Sequence, residues 1–197
     1  MRKFTFQVRF TKEGRARFIS HRELMTIIER AIRRAEIPVA ISEGFNPRLR
    51  ISFLTALPIG IASDDEVMMI HLSDWLAPMD VKQRLNQQLS TIFAADLASH
   101  NHQPLRVNDV APIHSPAAPR MFLVEYQITP IRHNAGNLPT PEQIKELLAR
   151  PEIIITRQHP DGAKVINIRP YIQDIRMQDN QILLIVKITN EGTVRAE

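Results

Sequence analysis

The stretch RFISHRELMTIIERAIRRAEIPVAISEGFNPRLRISFLTALPIG, residues 17–60, decides how this chain is read. Ser20 followed three residues later by Glu23 forms a capping box, and Ile19 and Leu24 stand where a hydrophobic staple joins. Leu24, Ile28, Ala31, Ile32 and Ala35 then share one side of a helical wheel, and Arg22, Thr26, Arg30 and Arg33 share the opposite side. The pattern predicts a helix that packs on a sheet and turns a basic stripe to water. Pro38 ends it. Residues 39–41 suit a short strand, Gly44, Asn46 and Pro47 supply turn chemistry, and residues 51–53 are extended again before Leu57-Pro58-Ile59-Gly60 breaks the chain.

Upstream, Phe4, Phe6, Val8 and Phe10 alternate with Thr5, Gln7, Arg9 and Thr11, the signature of a half-buried strand. Lys12-Glu13-Gly14 reads as a turn and residues 15–19 as a short return segment. Downstream, residues 66–72 form an apolar strand, Asp80 with Gln83 caps a helix carrying Val81, Leu85 and Leu89, and residues 105–110 form a closing strand. This β-α-β-β-α-β order is the split βαβ, ferredoxin-like (RRM-like) pattern, and it covers residues 1–110.

Residues 111–120, APIHSPAAPR, lack periodicity and read as a linker. A second unit, 121–197, starts with the alternation Phe122, Val124, Tyr126, Ile128. Thr140, Pro141 and Gln143 then open a helix with Ile144, Leu147 and Leu148 on its apolar side. Strands follow at 152–157, 165–169, 172–177 and 182–188, the last two joined through 178–181 as a hairpin. The run ILLIVKI predicts a central strand buried on both faces. The expected fold is therefore α+β, two ferredoxin-like units in tandem, the second short of its last element at NEGTVRAE.

Composition bounds the chemistry. Absence of cysteine excludes disulfides, thiol nucleophiles, thiolate zinc sites and any iron-sulfur cluster held by this chain's own thiolates. The net charge of +4 hides an asymmetry, because residues 1–60 carry 12 Lys+Arg against 5 Asp+Glu and the remainder is acidic. No apolar run reaches membrane-spanning length, and the N-terminus enters strand pattern without a signal-peptide block, so the expected location is the cytoplasm with no membrane partner. No metal or cofactor is expected: His100-Asn101-His102 is too weak a metal signal, and no P-loop, dinucleotide glycine motif or nucleophile elbow occurs.

The strings RFTKEGRARFISH, RAIRRAEIPVAISEGFNPRLRISF and ALPIG, with Leu24-Met25, Glu66, NIRPYI at 167–172 and GTVRAE at 192–197, resemble a bacterial family described as radical-SAM-linked proteins, found alone or fused behind a radical SAM domain. The resemblance implies a radical SAM protein as partner and, from the RNA-processing and ribosomal genes that tend to lie beside its relatives, a connection to RNA by association. Family members usually have Leu-Asp where this chain has Arg22-Glu23, arginine in place of Thr26 and aspartate in place of Asn167. Without cysteine the chain cannot be the radical enzyme itself.

Two positions carry competing readings. His21, beside Arg17 at the positive end of the helix, suits either a structural hydrogen bond to the loop, the favoured reading, or a general acid-base role on a phosphodiester, as in the metal-free CRISPR repeat endoribonucleases. Phe45 suits either a plug on the core or a platform that stacks a base while Arg48 and Arg50 hold phosphates. The candidate nucleic-acid-binding set is Arg17, His21, Arg22, Arg30, Arg33, Phe45, Arg48 and Arg50. The leading functional expectation is a non-catalytic RNA- or substrate-binding module serving a radical SAM enzyme; the alternatives are an endoribonuclease using His21 and a pure docking subunit.

Overall fold

In a computed structural model the alternation at the N-terminus forms strand β1, Phe4–Lys12, with Phe6, Val8 and Phe10 fully buried. The structure describes residues 4–95, 98, 103–113, 121–130, 138–159, 162–189 and 192–194. Among these the chain is mixed α+β, with three α-helices and antiparallel sheets, and it divides into two compact units, Met1–Pro116 and Ala117–Glu197.

In the first unit β1 is followed by helix α1 (His21–Arg34), β2 (Ile51–Phe53), β3 (Ser63–Leu72), helix α2 (Pro78–Ile92) and β4 (Leu105–Ile113). The sheet has the order β2-β3-β1-β4, every pair antiparallel. Its even-numbered β1 residues join Met68, Ile70 and Leu72 of β3 beneath the helices. Leu24, Ile28, Ala31 and Ile32 of α1 and Val81, Leu85 and Leu89 of α2 complete the core. The opposite sheet face carries Thr5, Gln7 and Arg9, with Arg9 ion-paired to Asp65. Asn86 of α2 reaches β4 with both ends of its amide, donating to Val107 O at 2.9 Å and accepting from Val107 N at 2.8 Å.

Several local expectations need correction. The return segment expected at residues 15–19 is largely a 3-10 turn, Gly14–Phe18, entered by Gly14 at φ 50°, a conformation glycine adopts without penalty. Residues 39–41 contribute only isolated bridges, Val39 to Leu72 and Ile41 to Leu49. Asp80 does not cap α2: Pro78, which has no N–H to satisfy, occupies the first turn, so the helix begins earlier with Ala77 at its boundary. Strand β4 continues through Ala111, Pro112 and Ile113, opposite Gln7, Phe6 and Thr5, into what reads as linker. Pro112 is tolerated there because β4 is an edge strand and need not donate outward. Residues 114–120 lie outside the described residues.

The second unit does not repeat the first among the described residues. Strand β5 (Met121–Ile128) and helix α3 (Pro141–Ala149) precede a ribbon of β6 (Ile154–His159) and β7 (Gly162–Asn167), which pair only with each other. Arg169–Tyr171 is a 3-10 turn, where strand was expected to reach residue 169, and β8 (Ile172–Gln178) and β9 (Gln181–Thr189) follow. The second sheet has the order β5-β9-β8. The hairpin between β8 and β9 turns through Asp179 and Asn180, both with positive φ, the combination a two-residue type I′ turn needs. Strand β9 is central, and its two buried residues, Leu183 and Val186, lie on opposite faces with the rest of the strand half-buried, so both faces are covered, though only in part. Among the described residues the one helix of this unit, nine residues long, contributes a single buried side chain, Ile144, so the sheet is only thinly covered.

Arg169 organises this unit. Its Nε and Nη2 donate to Leu148 O at 3.1 and 2.8 Å, and its Nη1 donates to Ile172 O at 3.1 Å. Carbonyls left over at the end of α3 are thereby joined to the start of β8. Asn167 Oδ1 accepts from both Ile153 N and Arg169 N, two bonds that an aspartate oxygen would accept equally well. Arg169→Met should therefore destabilise the protein by about 2 kcal/mol, the typical cost of stripping charged donors from partly buried carbonyls. Asn167→Asp should leave stability nearly unchanged. Urea unfolding of the two variants checks the contrast, which equal losses would contradict.

Candidate nucleic-acid-binding surface

Helix α1 starts as its sequence dictates. Ser20 Oγ accepts from Glu23 N at 3.3 Å, and the Glu23 carboxylate accepts from Ser20 N at 2.9 Å and Ser20 Oγ at 2.7 Å. These bonds hold the Glu23 carboxyl below its ordinary pKa. The positive end of the helix is thus occupied by the chain's own carboxylate, which disfavours an external anion at the spot where His21 would serve it. The His21 ring is half-buried and stands edge-on to Phe53, centroids 5.1 Å apart, and Phe53 meets Phe10 edge-on at 6.1 Å. The contact is aromatic packing instead of a loop hydrogen bond, and it fits a structural role.

Beneath this helix start lies a feature that periodicity alone did not reveal. Lys12, read as a turn residue, is fully buried, and its Nζ donates to Ile19 O at 2.9 Å. Glu66 of β3, across from Phe10, is also buried, with Ser63 and Thr55 hydrogen-bonded to its carboxyl. Burial raises the Glu66 carboxyl above its ordinary pKa, opposed by the Ser63 bond and the Lys12 charge. Burial lowers the Lys12 ammonium, opposed by Glu66. The signal was present: extending the β1 alternation by one step places Lys12 on the side of Phe6, Val8 and Phe10, and Glu66 likewise alternates with Met68 and Ile70.

The expected site residues fall at two ends of α1. Arg17, His21 and Arg22 stand at its start; Arg30 and Arg33 stand on its last turns. A few residues beyond that end, the chain forms a hairpin. Arg50 N donates to Ala40 O at 2.8 Å, Ser42 N to Arg48 O at 2.7 Å, and Arg48 N to Ser42 Oγ at 3.0 Å. Its base is stitched to β3 by Ala40 N to His71 O and His71 N to Arg50 O. Gly44, at φ 131°, turns the tip. Phe45 there has a relative exposure of 106%, so it plugs nothing. Arg22, Arg30, Arg33, Arg48 and Arg50 are all exposed.

A second exposed aromatic lies outside the expected set. Phe18, just before the cap, is 58% exposed, with the Arg17 guanidinium 4.7 Å from its ring centroid. No group of three or more His, Asp or Glu side chains among the described residues could hold a metal ion. No helix among the described residues is long and apolar enough to cross a membrane.

A family model described as an uncharacterised protein conserved in bacteria, DUF2344, matches residues 5–196. The chain belongs to this family. No curated protein matches it. That description assigns no activity to the members of DUF2344.

The buried pair makes stability depend on pH with a definite sign. A carboxyl whose folded pKa is raised binds more protons in the folded state, so its contribution is full below the ordinary value of 4.5 and is lost as pH rises through the folded value. Lys12 acts oppositely, between its lowered folded value and the ordinary 10.5. Glu66→Gln should therefore gain stability relative to the parent as pH climbs above 4.5, then level off. Denaturant titrations across that range give the difference curve; a flat difference would sink the assignment.

Proposed function

We propose that this protein is a non-catalytic binding module for RNA, built on a ferredoxin-like first unit of β-α-β-β-α-β order, in which the 40–50 hairpin follows α1 and is braced against β3. The observation that carries the reading is Phe45, fully exposed on that hairpin between Gly44 and the Asn46-Pro47-Arg48 segment. Burying a phenylalanine is one of folding's larger gains, and this hairpin, held by backbone bonds, forgoes it while placing the ring beside arginines. An exposed ring beside guanidinium groups suits an unpaired base and its phosphates.

The positive residues 1–60 support the same reading, since phosphate contacts supply most sequence-independent affinity. His21, packed on Phe53 and beside a carboxylate-filled helix end, supports a structural role over acid-base catalysis. The resemblance to radical-SAM-linked proteins supports a radical SAM enzyme as the partner that acts on the bound substrate, this chain having no cysteine to carry the cluster itself.

RNA binding should weaken steeply with salt. The Arg48→Ala/Arg50→Ala double variant should make the slope of log affinity against log salt shallower by about 1.4, from about 0.7 for each single-strand phosphate that an arginine no longer neutralises. Filter binding across a salt series measures both slopes. A flat salt response of the parent protein would overturn the reading.

A further inference from the structure

We infer that the ligand is a single strand of RNA that runs the length of α1 and stacks a base at each end, on Phe18 where the helix starts and on Phe45 beyond where it stops. The inference rests on the RNA-binding reading and adds to it a second platform, an extent and the strandedness of the ligand.

Phe18 sits in a clamped segment. Ile19 O beside it is held by buried Lys12, Arg17 O accepts from Gly60 N at 2.8 Å, and Ile19 N donates to Ala16 O at 3.0 Å. Within the same turn Ala16 is buried while Phe18 points out, so the smaller residue makes the core contact and the larger one is left to water. Folding gains nothing from that choice. The Arg17 guanidinium lies over the ring, 4.7 Å from its centroid, and the ring is still 58% exposed, enough to meet a planar partner. Phe45 repeats the arrangement in outline, an exposed ring on a segment braced by backbone bonds with arginines following it.

Between the two rings lies a helix of 14 residues, about 21 Å long, whose exposed side carries Arg22, Arg30 and Arg33. In a duplex the bases are stacked on one another and shielded from such rings; two platforms set beyond opposite ends of a helix suit unpaired bases joined by an extended backbone. The arginines between them then meet phosphates, not bases, so little sequence preference is expected along that stretch.

Fluorescence anisotropy with labelled oligouridines of about 3 to about 12 nucleotides, bracketing usual single-strand site sizes, tests this. Affinity should climb with length until the strand reaches both rings and then plateau. Phe18→Ala and Phe45→Ala should each weaken the long oligonucleotide about tenfold, with the salt slope unchanged, and Phe18→Trp should restore affinity. In the unmodified protein, 2-aminopurine placed at either end of a plateau-length strand should be quenched on binding, a readout that needs no variant. Salt-sensitive binding that is indifferent to Phe18→Ala in a protein of normal melting temperature, or equal affinity for duplex RNA, would overturn the inference while leaving the RNA-binding reading in place. Absence of salt-sensitive RNA binding altogether would overturn that reading, and the inference with it.

Discussion

The bond from Lys12 Nζ to Ile19 O is the constraint on which the first unit depends. It ties the last residue of β1 to the residue just before the cap of α1, across a 3-10 turn of only five residues. A buried ammonium is costly unless its donors are used and a negative charge is near. The Ile19 carbonyl supplies an acceptor and Glu66 supplies the charge, itself held by Ser63 and Thr55. Apolar residues at these positions could fill the same space. They could not specify which carbonyl is held, and so where the helix begins. With the start of α1 fixed, its apolar side meets Phe6, Val8 and Met68, and its arginines are left facing out.

The second unit solves the mirror problem by related means. There the cation is Arg169, and the carbonyl it holds, Leu148 O, lies at the end of a helix instead of before its start. Helix α3 is short and its unit has few buried side chains, so burial alone gives it little reason to stay in register with β8. The forked guanidinium reaches Leu148 and Ile172 together, which an ammonium could not do with the same geometry. In each unit a cation donating to backbone carbonyls fixes a helix-sheet junction.

How much of this was legible follows from the range of each interaction. The cap at Ser20, the box at Thr140, the buried side of α1 and the Asp179-Asn180 turn depend on neighbours within a turn or two, and the sequence pattern contains them. The second sheet's pairing of β5 with β9 and the separation of the β6–β7 ribbon depend on contacts distant in sequence, which periodicity does not encode. Lys12 fell between these cases. Its alternation pointed inward, but residue type and the adjacent glycine argued for a turn, and only Glu66, 54 positions later, reverses that judgement. Phe45 was ambiguous for a similar reason: glycine and proline mark a loop without saying which way its tip points.

Folding and function can be separated on α1 by asking what each side chain does for stability. Ser20, Glu23, Leu24, Ile28 and Ile32 all have folding partners. His21, the most chemically suggestive residue in the segment, joins them, because its ring completes the stack with Phe53 and Phe10. Phe45 is fully exposed, and Phe18 is mostly so, with the Arg17 guanidinium over its ring. An isolated exposed apolar side chain is ordinary on a protein surface, but each of these is held out by specific backbone bonds, at Gly60 to Arg17 and at Ser42 to Arg48, which limit the collapse that would hide it. A surface that is braced and wet-facing loses little entropy on meeting a ligand. Under the RNA-binding proposal, the ordinary residues of the segment serve folding, and its two least buried rings, with their arginines, await the ligand beyond either end of one helix.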